Sequence, residues 1–517
     1  MARRVIFVLA LLLLGALPFA VISSSNSAAS NHVEAGVAQQ FPAIKLPPGY
    51  RIEKVVGNLT YPTSLAWDNR GRMYVAEAGG QFLEEPAPSR ILRIEGGRAV
   101  TAVDFTGKGV ADSVAGLTWH KGAFYFTHRE PSNRTGAVSR ATLNGRVTRV
   151  LTGFLDSQSE HQVADVKAGP DGRIYLGSGP TANSAVVGVD IAPFVARSPK
   201  VHTTACKDIV LTGQNFETPD FRTRNPSDVT LTGAYVPFGT RTSPGQRIRG
   251  TRKCGGAVFS FDPRRPEASL RMHAWGFRNV IGLAWNRRGE MFAAVNGFDV
   301  RGSRPVNDTY DATYRIRGGA WYGWPDFSAN LEPLSKPKFD SPDSLQAPIV
   351  VNGRLLPGPK KLGFVIDHRA SRLRVAPKSL VAGLHEFNSS PSQIDFAPAS
   401  WGSFGGRLFV AEFGDLAPNT TPLRNGPAGF QVVAIDPRTK RAIPFLRNAT
   451  PGPASRQGAK GRGVERPYDV KFGPDGAMYI ADYGILNVNP ARIRQGQVPY
   501  EAPPRSGAIW KVTRIGP

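Results

Sequence analysis

Cysteine is scarce in this chain of 517 residues, in which only Cys206 and Cys254 occur. No Cys-x-x-Cys pair or Cys/His spacing typical of zinc or haem is present, which argues against those metal centres.

Acidic residues are also fewer than basic ones, with 40 Asp and Glu against 64 Lys and Arg and a net charge of +24. The basic residues are scattered and accompany no nucleic-acid-binding motif. We therefore expect no nucleic-acid partner and favour attraction to an anionic membrane, cell-surface polymer or acidic partner.

The longest apolar run lies at the N-terminus. It extends from Val5 to Ser23, follows Arg3 and Arg4, and precedes a stretch of small residues. This pattern is typical of a secretory signal peptide, and a run of about 19 residues is also long enough for an uncleaved membrane anchor. We expect residues 1–30 to be one or the other, with the remainder secreted or periplasmic. In that oxidising compartment the two cysteines are expected to form a disulfide, with two free thiols as the alternative.

Glycine (56) and proline (43) are abundant, as expected for many short strands joined by tight turns. Six times the chain repeats an alternating strand, a turn carrying Gly and a second apolar strand, which is the pattern of a β-hairpin. The predicted hairpins are Pro62–Glu77, Val114–Arg129, Gln162–Gly179, Arg278–Gly297, Ser392–Asp415 and Arg466–Gly484. A third apolar-alternating strand follows each hairpin. Because one such sheet cannot bury both faces, radial packing of all six is predicted.

The predicted fold is therefore all-β, a six-bladed β-propeller of four-stranded antiparallel blades over residues 40–517. The segment near Tyr50–Val56 is expected to close the ring by pairing with the last blade. Two long loop insertions interrupt the repeat, at about residues 181–253 and 326–382, and such insertions tend to build binding sites or lids. The starts of the innermost strands should ring one mouth of the central channel.

Two segments resemble a known family. WGFRNVIGLAW (Trp275–Trp285) and GGAWYGWPDF (Gly318–Phe327) are similar to motifs of the soluble PQQ-dependent glucose dehydrogenases, also called glucose/sorbosone dehydrogenases. The resemblance extends over roughly residues 45 to 515. It implies a quinone, PQQ, in the central cleft, which takes a hydride from the anomeric carbon of a sugar while a histidine removes the hydroxyl proton. The electrons then leave to an external acceptor, because no haem-attachment motif is present.

The resemblance also implies site residues. His161 matches the catalytic general base, a role that suits histidine because its ordinary pKa lies near neutral pH. Arg278, Asn279 and Arg466 match cofactor-binding positions, where guanidinium groups suit the carboxylates of PQQ. The sequence departs from the family at a second arginine position, which is Tyr468 here. It departs again within Ala411–Asp415, where the family's lysine is absent.

Calcium is the second cofactor that the resemblance implies. In the family it is held partly by backbone carbonyl oxygens, which are ordinary calcium ligands. The matching positions here are Gly297 and Phe298, with Asp308 as a downstream acidic ligand. Asp308 as an ordinary turn residue is an equally good interpretation.

Three functions remain open. The leading hypothesis is a PQQ-dependent oxidation of an aldose or related sugar. The second is a non-catalytic propeller that binds carbohydrate or protein, which the missing lysine and second arginine favour. The third is a calcium-dependent lactonase-like hydrolase on a similar scaffold, since one fold hosts many chemistries.

Overall fold

The computed structural model describes residues 43–80, 88–111, 113–307, 309–356, 361–495 and 497–516. The expected signal peptide or anchor at residues 1–30 lies outside this part of the chain. Within it, none of the helices has the length and apolar character needed to cross a membrane.

The described residues are nearly all in strands and connecting loops. Six antiparallel sheets follow one another along the chain, and we number them in that order. Sheet 1 comprises Pro62–Trp67, Met73–Glu77, Arg90–Glu95 and Arg98–Asp104. Sheet 2 comprises Leu117–His120, Ala123–Arg129, Gly136–Ala141 and Val147–Phe154. Sheet 3 comprises Val163–Ala168, Ile174–Ser178, Ala257–Phe261 and Arg271–Trp275.

The remaining three sheets repeat the plan. Sheet 4 comprises Asn279–Trp285, Met291–Asn296, Asp311–Arg315 and Val381–His385. Sheet 5 comprises Pro391–Phe396, Leu408–Glu412, Gln431–Ile435 and Ala442–Asn448, with Ile44–Lys45 added at its edge. Sheet 6 comprises Pro467–Phe472, Met478–Asp482, Gly507–Arg514 and Tyr50–Leu59. The first two strands of every sheet are a hairpin predicted from the sequence.

The first strands of the six sheets contact one another in a closed series. Each packs against the first strand of the next sheet, and that of sheet 6 packs against that of sheet 1. Tyr50–Leu59 pairs antiparallel with Gly507–Arg514, which confirms the predicted pairing of the N-terminal segment with the last repeat. The arrangement of four-stranded antiparallel sheets is consistent with a propeller.

Aspartates on the first strands link neighbouring sheets. Asp165 of sheet 3 accepts a hydrogen bond from the backbone N–H of Leu283 in sheet 4, at 2.9 Å. Asp469 of sheet 6 accepts from Leu65 N–H in sheet 1, at 2.7 Å. These carboxylates are fully buried, and each satisfies a backbone donor at a junction between sheets.

Local turn chemistry explains the hairpins. In the hairpin of sheet 1, Asp68 Oδ1 accepts from the backbone N–H groups of Arg70 and Arg72 at 2.9 and 3.0 Å. Gly71 follows with φ of 73°, a conformation that glycine adopts without a steric penalty. An Asp and a Gly at these spacings therefore fix where the chain reverses.

The two insertions pair with each other, which the sequence did not indicate. Asn215–Pro219 of the first insertion pairs with Val229–Gly233 and also with Ile349–Val351 of the second insertion. Together with Arg354–Leu355 they form a further four-stranded sheet. The first insertion is fastened to sheet 3 by the predicted disulfide Cys206–Cys254, whose Cα atoms are 5.0 Å apart.

Few other elements complete the described structure. Two small sheets pair Ile209–Val210 with Arg247–Ile248 and Asn487–Val488 with Tyr500–Glu501. The described α-helices are short, Ala192–Arg197 and Pro266–Ser269. The described 3-10 helices are Leu155–Gln158, Val189–Ile191, Pro337–Phe339, Lys378–Leu380, Gly402–Phe404, Ala454–Gln457 and Pro490–Gln495.

Candidate active site

A cleft opens where the starts of four first strands meet. Its volume is about 1030 Å³, counting space open to solvent. The floor carries residues at or just before the first strands of sheets 3, 4, 5 and 6. The walls come from helix Ala192–Arg197 and from the loops after the second strands of sheets 4, 5 and 6. The cleft is therefore built from segments distant in sequence, at a place where pockets commonly hold ligands.

His161 lies in this cleft, immediately before the first strand of sheet 3. Its ring Nδ1 is 2.7 Å from the carbonyl oxygen of Pro180. Because a carbonyl oxygen only accepts hydrogen bonds, Nδ1 carries the proton in the neutral ring and Nε2 has a free lone pair. Burial, reinforced by the positive charges of Arg278 and Arg301, holds the pKa of His161 well below its ordinary value. The imidazole is therefore neutral at pH 7 and equipped to accept a proton at Nε2.

Arg278 and Asn279 adjoin His161 at the start of sheet 4. Arg278 Nη2 donates to Asp299 Oδ2 at 2.5 Å, and Asn279 Nδ2 donates to Asn296 Oδ1 at 3.2 Å. Each residue is 6% exposed. Within the described part of the chain, Arg278 Nε and Asn279 Oδ1 have no hydrogen-bond partner. Such unpaired buried polar atoms are uncommon and often mark a ligand site.

Gly179 allows His161 and Asn279 to lie close together. A Cβ atom at this position would stand 2.6 Å from His161 Cβ and 2.3 Å from Asn279 Oδ1. Any side chain there would displace one of the two. Gly179 is thus a positioning residue for the site.

Arg301 joins three carboxylates beside the histidine. Its guanidinium contacts Glu160, reaches Asp190 Oδ2 at 2.7 Å and Asp299 Oδ2 at 2.9 Å. Burial alone would lower the pKa of Arg301, but the surrounding carboxylates raise it well above its ordinary value. Burial raises the pKa of Asp190 to about 6, and Glu160 adds to that rise. Glu160 Oε1 is also 3.5 Å from His161 Nε2.

Arg466 lies behind the wall of the cleft rather than in its lining. Its Nη1 donates to the carbonyl oxygens of Phe413, Gly414 and Asp415 at 3.0 to 3.3 Å, and Nη2 donates to Leu486 O at 3.2 Å. Burial lowers the pKa of Arg466 to about 10. The guanidinium braces the loop that carries Phe413 into the cleft. The structure thus brings His161, Arg278 and Asn279 together and places Arg466 outside that group.

Of the residues predicted to hold calcium, Gly297 and Phe298 do not line the cleft, although their chain neighbours Asn296 and Asp299 do. The N–H of Gly297 donates to Asp311 Oδ1 at 2.5 Å, and the carbonyl of Phe298 accepts from Thr309 Oγ1 at 3.2 Å. Phe298 borders a different cavity, and Asp308 lies outside the described residues. Across the described ranges, no group of three His, Cys, Asp or Glu is arranged to hold a metal ion.

Sequence reasoning missed most of the charged residues in the cleft. Glu160 precedes the predicted histidine directly, and that adjacency was the available signal. Asp190 lies in the first insertion, and Asp299 and Arg301 lie in a loop after a strand, where no repeat position identified them.

The comparisons with known proteins concern the fold. No protein-family model matches the chain, and no curated protein matches it significantly. The iodide structure of the Trichoderma reesei Carbohydrate-Active Enzymes Family AA12 protein matches with a TM-score of 0.53 and 14% identity, covering 94% of this chain and 100% of that one. Its calcium structure matches with a TM-score of 0.52 and 14% identity, covering 92% and 99%.

A PQQ-bound aldose sugar dehydrogenase from Streptomyces coelicolor also matches, with a TM-score of 0.48, 14% identity and coverage of 90% and 99%. Identities this low establish a shared fold and leave the chemistry to be argued from the site.

Proposed function

We propose that this protein is an extracytoplasmic enzyme that oxidises an aldose or related sugar, built on a six-bladed propeller over residues 40–517. The closed series of first strands and the closing strand Tyr50–Leu59 support six blades. The insertions at about 181–253 and 326–382 are loops of this one domain. The N-terminal run at 1–30 supports export, and the charge of +24 supports association with an anionic cell surface.

The observation that carries the proposal is the protonation geometry of His161. With Nδ1–H donated to Pro180 O at 2.7 Å, the ring cannot rotate or change tautomer without losing that bond. Nε2 then accepts the proton of a substrate hydroxyl as the C–H bond at the same carbon breaks, which is general-base catalysis. PQQ, when bound, supplies the acceptor of the hydride, and an external acceptor removes the electrons afterwards.

Arg278 and Asn279 are the residues that would hold PQQ. Arg278 Nε–H and Asn279 Oδ1 are buried without partners in the described structure. Arg278 Nε–H would donate to a carboxylate of the cofactor, and Asn279 Oδ1 would accept from a donor group of the cofactor. Arg466 remains a predicted ligand only. Its Nη1 and Nη2 donate to backbone carbonyl oxygens, and although its Nε has no partner in the described structure, the residue does not line the cleft. For calcium, Gly297 and Phe298 would offer backbone carbonyl oxygens, and the described residues show no cluster of three acidic or histidine ligands. No step involves the metal.

A non-catalytic carbohydrate-binding propeller is the second candidate. The charge balance of the cleft favours it, since three carboxylates face two guanidinium groups there, and a cofactor with three carboxylates gains little from such a site. Aromatic side chains on the walls suit the apolar faces of a sugar with or without oxidation. The lactonase-like alternative lacks a comparable observation.

The test compares two histidine variants after addition of PQQ, calcium and a dye acceptor, across a panel of sugars. His161→Ala is expected to lower turnover by roughly a hundredfold or more, because the general base is lost. His202→Ala is the matched control, since His202 Nδ1 also contacts a carbonyl, Lys200 O at 2.8 Å, but the residue is absent from the cleft lining. Equal turnover in both variants would refute the assigned role, and sugar binding without turnover in the parent would favour the binding module.

A further inference from the structure

The charge of the cleft selects among ligands. Its lining carries the carboxylates Glu160, Asp190 and Asp299 and the guanidinium groups of Arg278 and Arg301. His161 adds no charge, because burial lowers its pKa well below its ordinary value. With all three acids ionised, the cleft has one negative charge in excess. This sign is opposite to that of the whole chain, at +24.

The positive charges in the cleft are already engaged. Arg301 uses Nη2, Nη1 and Nε on Glu160, Asp190 and Asp299. Arg278 also binds Asp299 through Nη2. Arg278 Nε–H is unpaired, but it is the donor proposed above for a carboxylate of PQQ. A carboxylate on a sugar would therefore have to compete with the cofactor there or displace an internal partner of Arg301 and leave it buried and unpaired, which is costly.

Acceptor atoms remain beside these engaged cations. Asp190 Oδ1 and Asn279 Oδ1 are buried and have no hydrogen-bond partner within the described residues. Asn279 is 6% exposed and belongs to the lining itself. An acceptor without a donor in a closed site calls for a ligand that brings N–H or O–H groups.

The walls add a second attraction for a positive ligand. Phe194, Phe413, Tyr468 and Tyr500 line the cleft. The face of an aromatic ring attracts an ammonium group and packs against the C–H face of a sugar. An acidic cluster and aromatic walls thus favour the same kind of ligand.

We infer that the preferred ligand of this cleft is an amino sugar, a polyhydroxylated ring bearing an ammonium group, and that carboxylated sugars bind least tightly. The inference rests on the proposed sugar function and specifies its substrate class. Neutral sugars are expected to bind with intermediate affinity, because their hydroxyl groups donate to the unpaired acceptors but add no positive charge.

The experiment is calorimetric titration of the purified protein at about pH 7 with glucosamine, N-acetylglucosamine, glucose and glucuronate. We expect glucosamine to bind roughly tenfold more tightly than its neutral N-acetyl counterpart, and glucuronate roughly tenfold more weakly than glucose, factors typical of one charged contact. Asp190→Asn should bring the first ratio to about one. Asp220→Asn, which removes a carboxylate paired with Arg222 in the same insertion but outside the cleft lining, should leave the ratio unchanged.

A second measurement covers the case in which Asp190→Asn does not fold. In the parent protein, raising the salt concentration from about 0.05 M to about 0.5 M should bring the ratio of glucosamine affinity to N-acetylglucosamine affinity closer to one. The reason is that salt screens the attraction between the ammonium group and the carboxylates. Glucuronate binding as tightly as glucosamine would overturn the inference, while turnover of a neutral sugar would still support the proposed function. If no sugar of any charge binds, both fail.

Discussion

His161 shows how burial and one carbonyl oxygen prepare a base. An exposed histidine is half protonated near pH 6.5, and half of its molecules would then be unable to accept a proton. Here burial and two nearby arginines depress the pKa, and Pro180 O assigns the tautomer. The free base is consequently present throughout the physiological range.

The pH profile of kcat/KM should reflect that depression. Because a lowered pKa keeps His161 unprotonated at pH 6, we expect no loss of activity centred at pH 6.5. Asp190 lies in the cleft and burial raises its pKa to about 6, so we expect it to produce an acid limb near pH 6 that disappears in Asp190→Asn. A limb centred at pH 6.5 and shared by parent and variant would contradict this assignment of the two groups.

Arg278 and Arg466 should respond differently to truncation. Arg466→Ala removes four hydrogen bonds to buried carbonyl oxygens and is expected to lower the free energy of unfolding by about 2–4 kcal/mol. Arg278→Ala should chiefly weaken binding of PQQ, as followed by its absorbance on titration. Denaturant unfolding of both variants checks the contrast. A stable Arg466→Ala protein that has lost PQQ binding would instead place Arg466 at the cofactor.

Part of the site was predictable from residues alone. The rule that the starts of inner strands share one mouth predicted that His161, Arg278, Asn279 and Arg466 would converge, since each lies at or just before such a start. The first three line the cleft, and Arg466 does not. Arg301 was not predictable, because its partners Glu160 and Asp190 are 141 and 111 residues away. Loop residues carry no periodicity, and only the folded chain brings them into contact.

At the scale of elements, Asp156 fastens the first insertion to the sheets. Its carboxylate accepts from the N–H of Thr181 at 2.8 Å and from Thr204 Oγ1 at 2.5 Å. Burial raises its pKa to about 6. Cys206–Cys254 anchors the same insertion, so a hydrogen-bonded carboxyl group and a covalent bond hold one wall of the cleft in place.

Asp156→Ala is expected to destabilise the protein by about 2–4 kcal/mol, because buried donors lose their acceptor. The pKa of Asp156 in the folded state lies above its ordinary value of 3.8. Its contribution is therefore fully present below pH 3.8 and is lost as the pH rises through about 6. Urea unfolding at pH 4 and at pH 7 should show the larger difference between parent and variant at pH 4. A difference that grows with pH would contradict the sign.

Strand prediction succeeded where local pattern decides structure. The repeated Asp and Gly of the hairpin turns, such as Asp68 and Gly71, fix chain reversal within a few residues. The strand pairing of the insertions could not be predicted in this way, because Asn215–Pro219 pairs with Ile349–Val351, which is more than a hundred residues away in the sequence. The choice of partner there depends on packing that a local pattern does not encode.

In the whole molecule, the closed series of first strands explains why a site can be assembled from segments distant in sequence. Residues before the first strands of sheets 3 and 4 meet in one cleft because successive sheets point the same strand ends toward the same mouth. The cleft carries an excess negative charge inside a strongly basic chain. The whole molecule is therefore expected to attract negatively charged partners, whereas the cleft is expected to prefer positively charged ligands.

The proposed function requires that a sugar C–H bond is broken in this cleft. The most direct test is dye-linked turnover of glucose deuterated at the anomeric carbon, beside ordinary glucose, with the parent protein and added PQQ. Turnover is expected to be slower for the deuterated sugar. No turnover with any sugar of a broad panel, together with no PQQ absorbance retained by the protein, would contradict it.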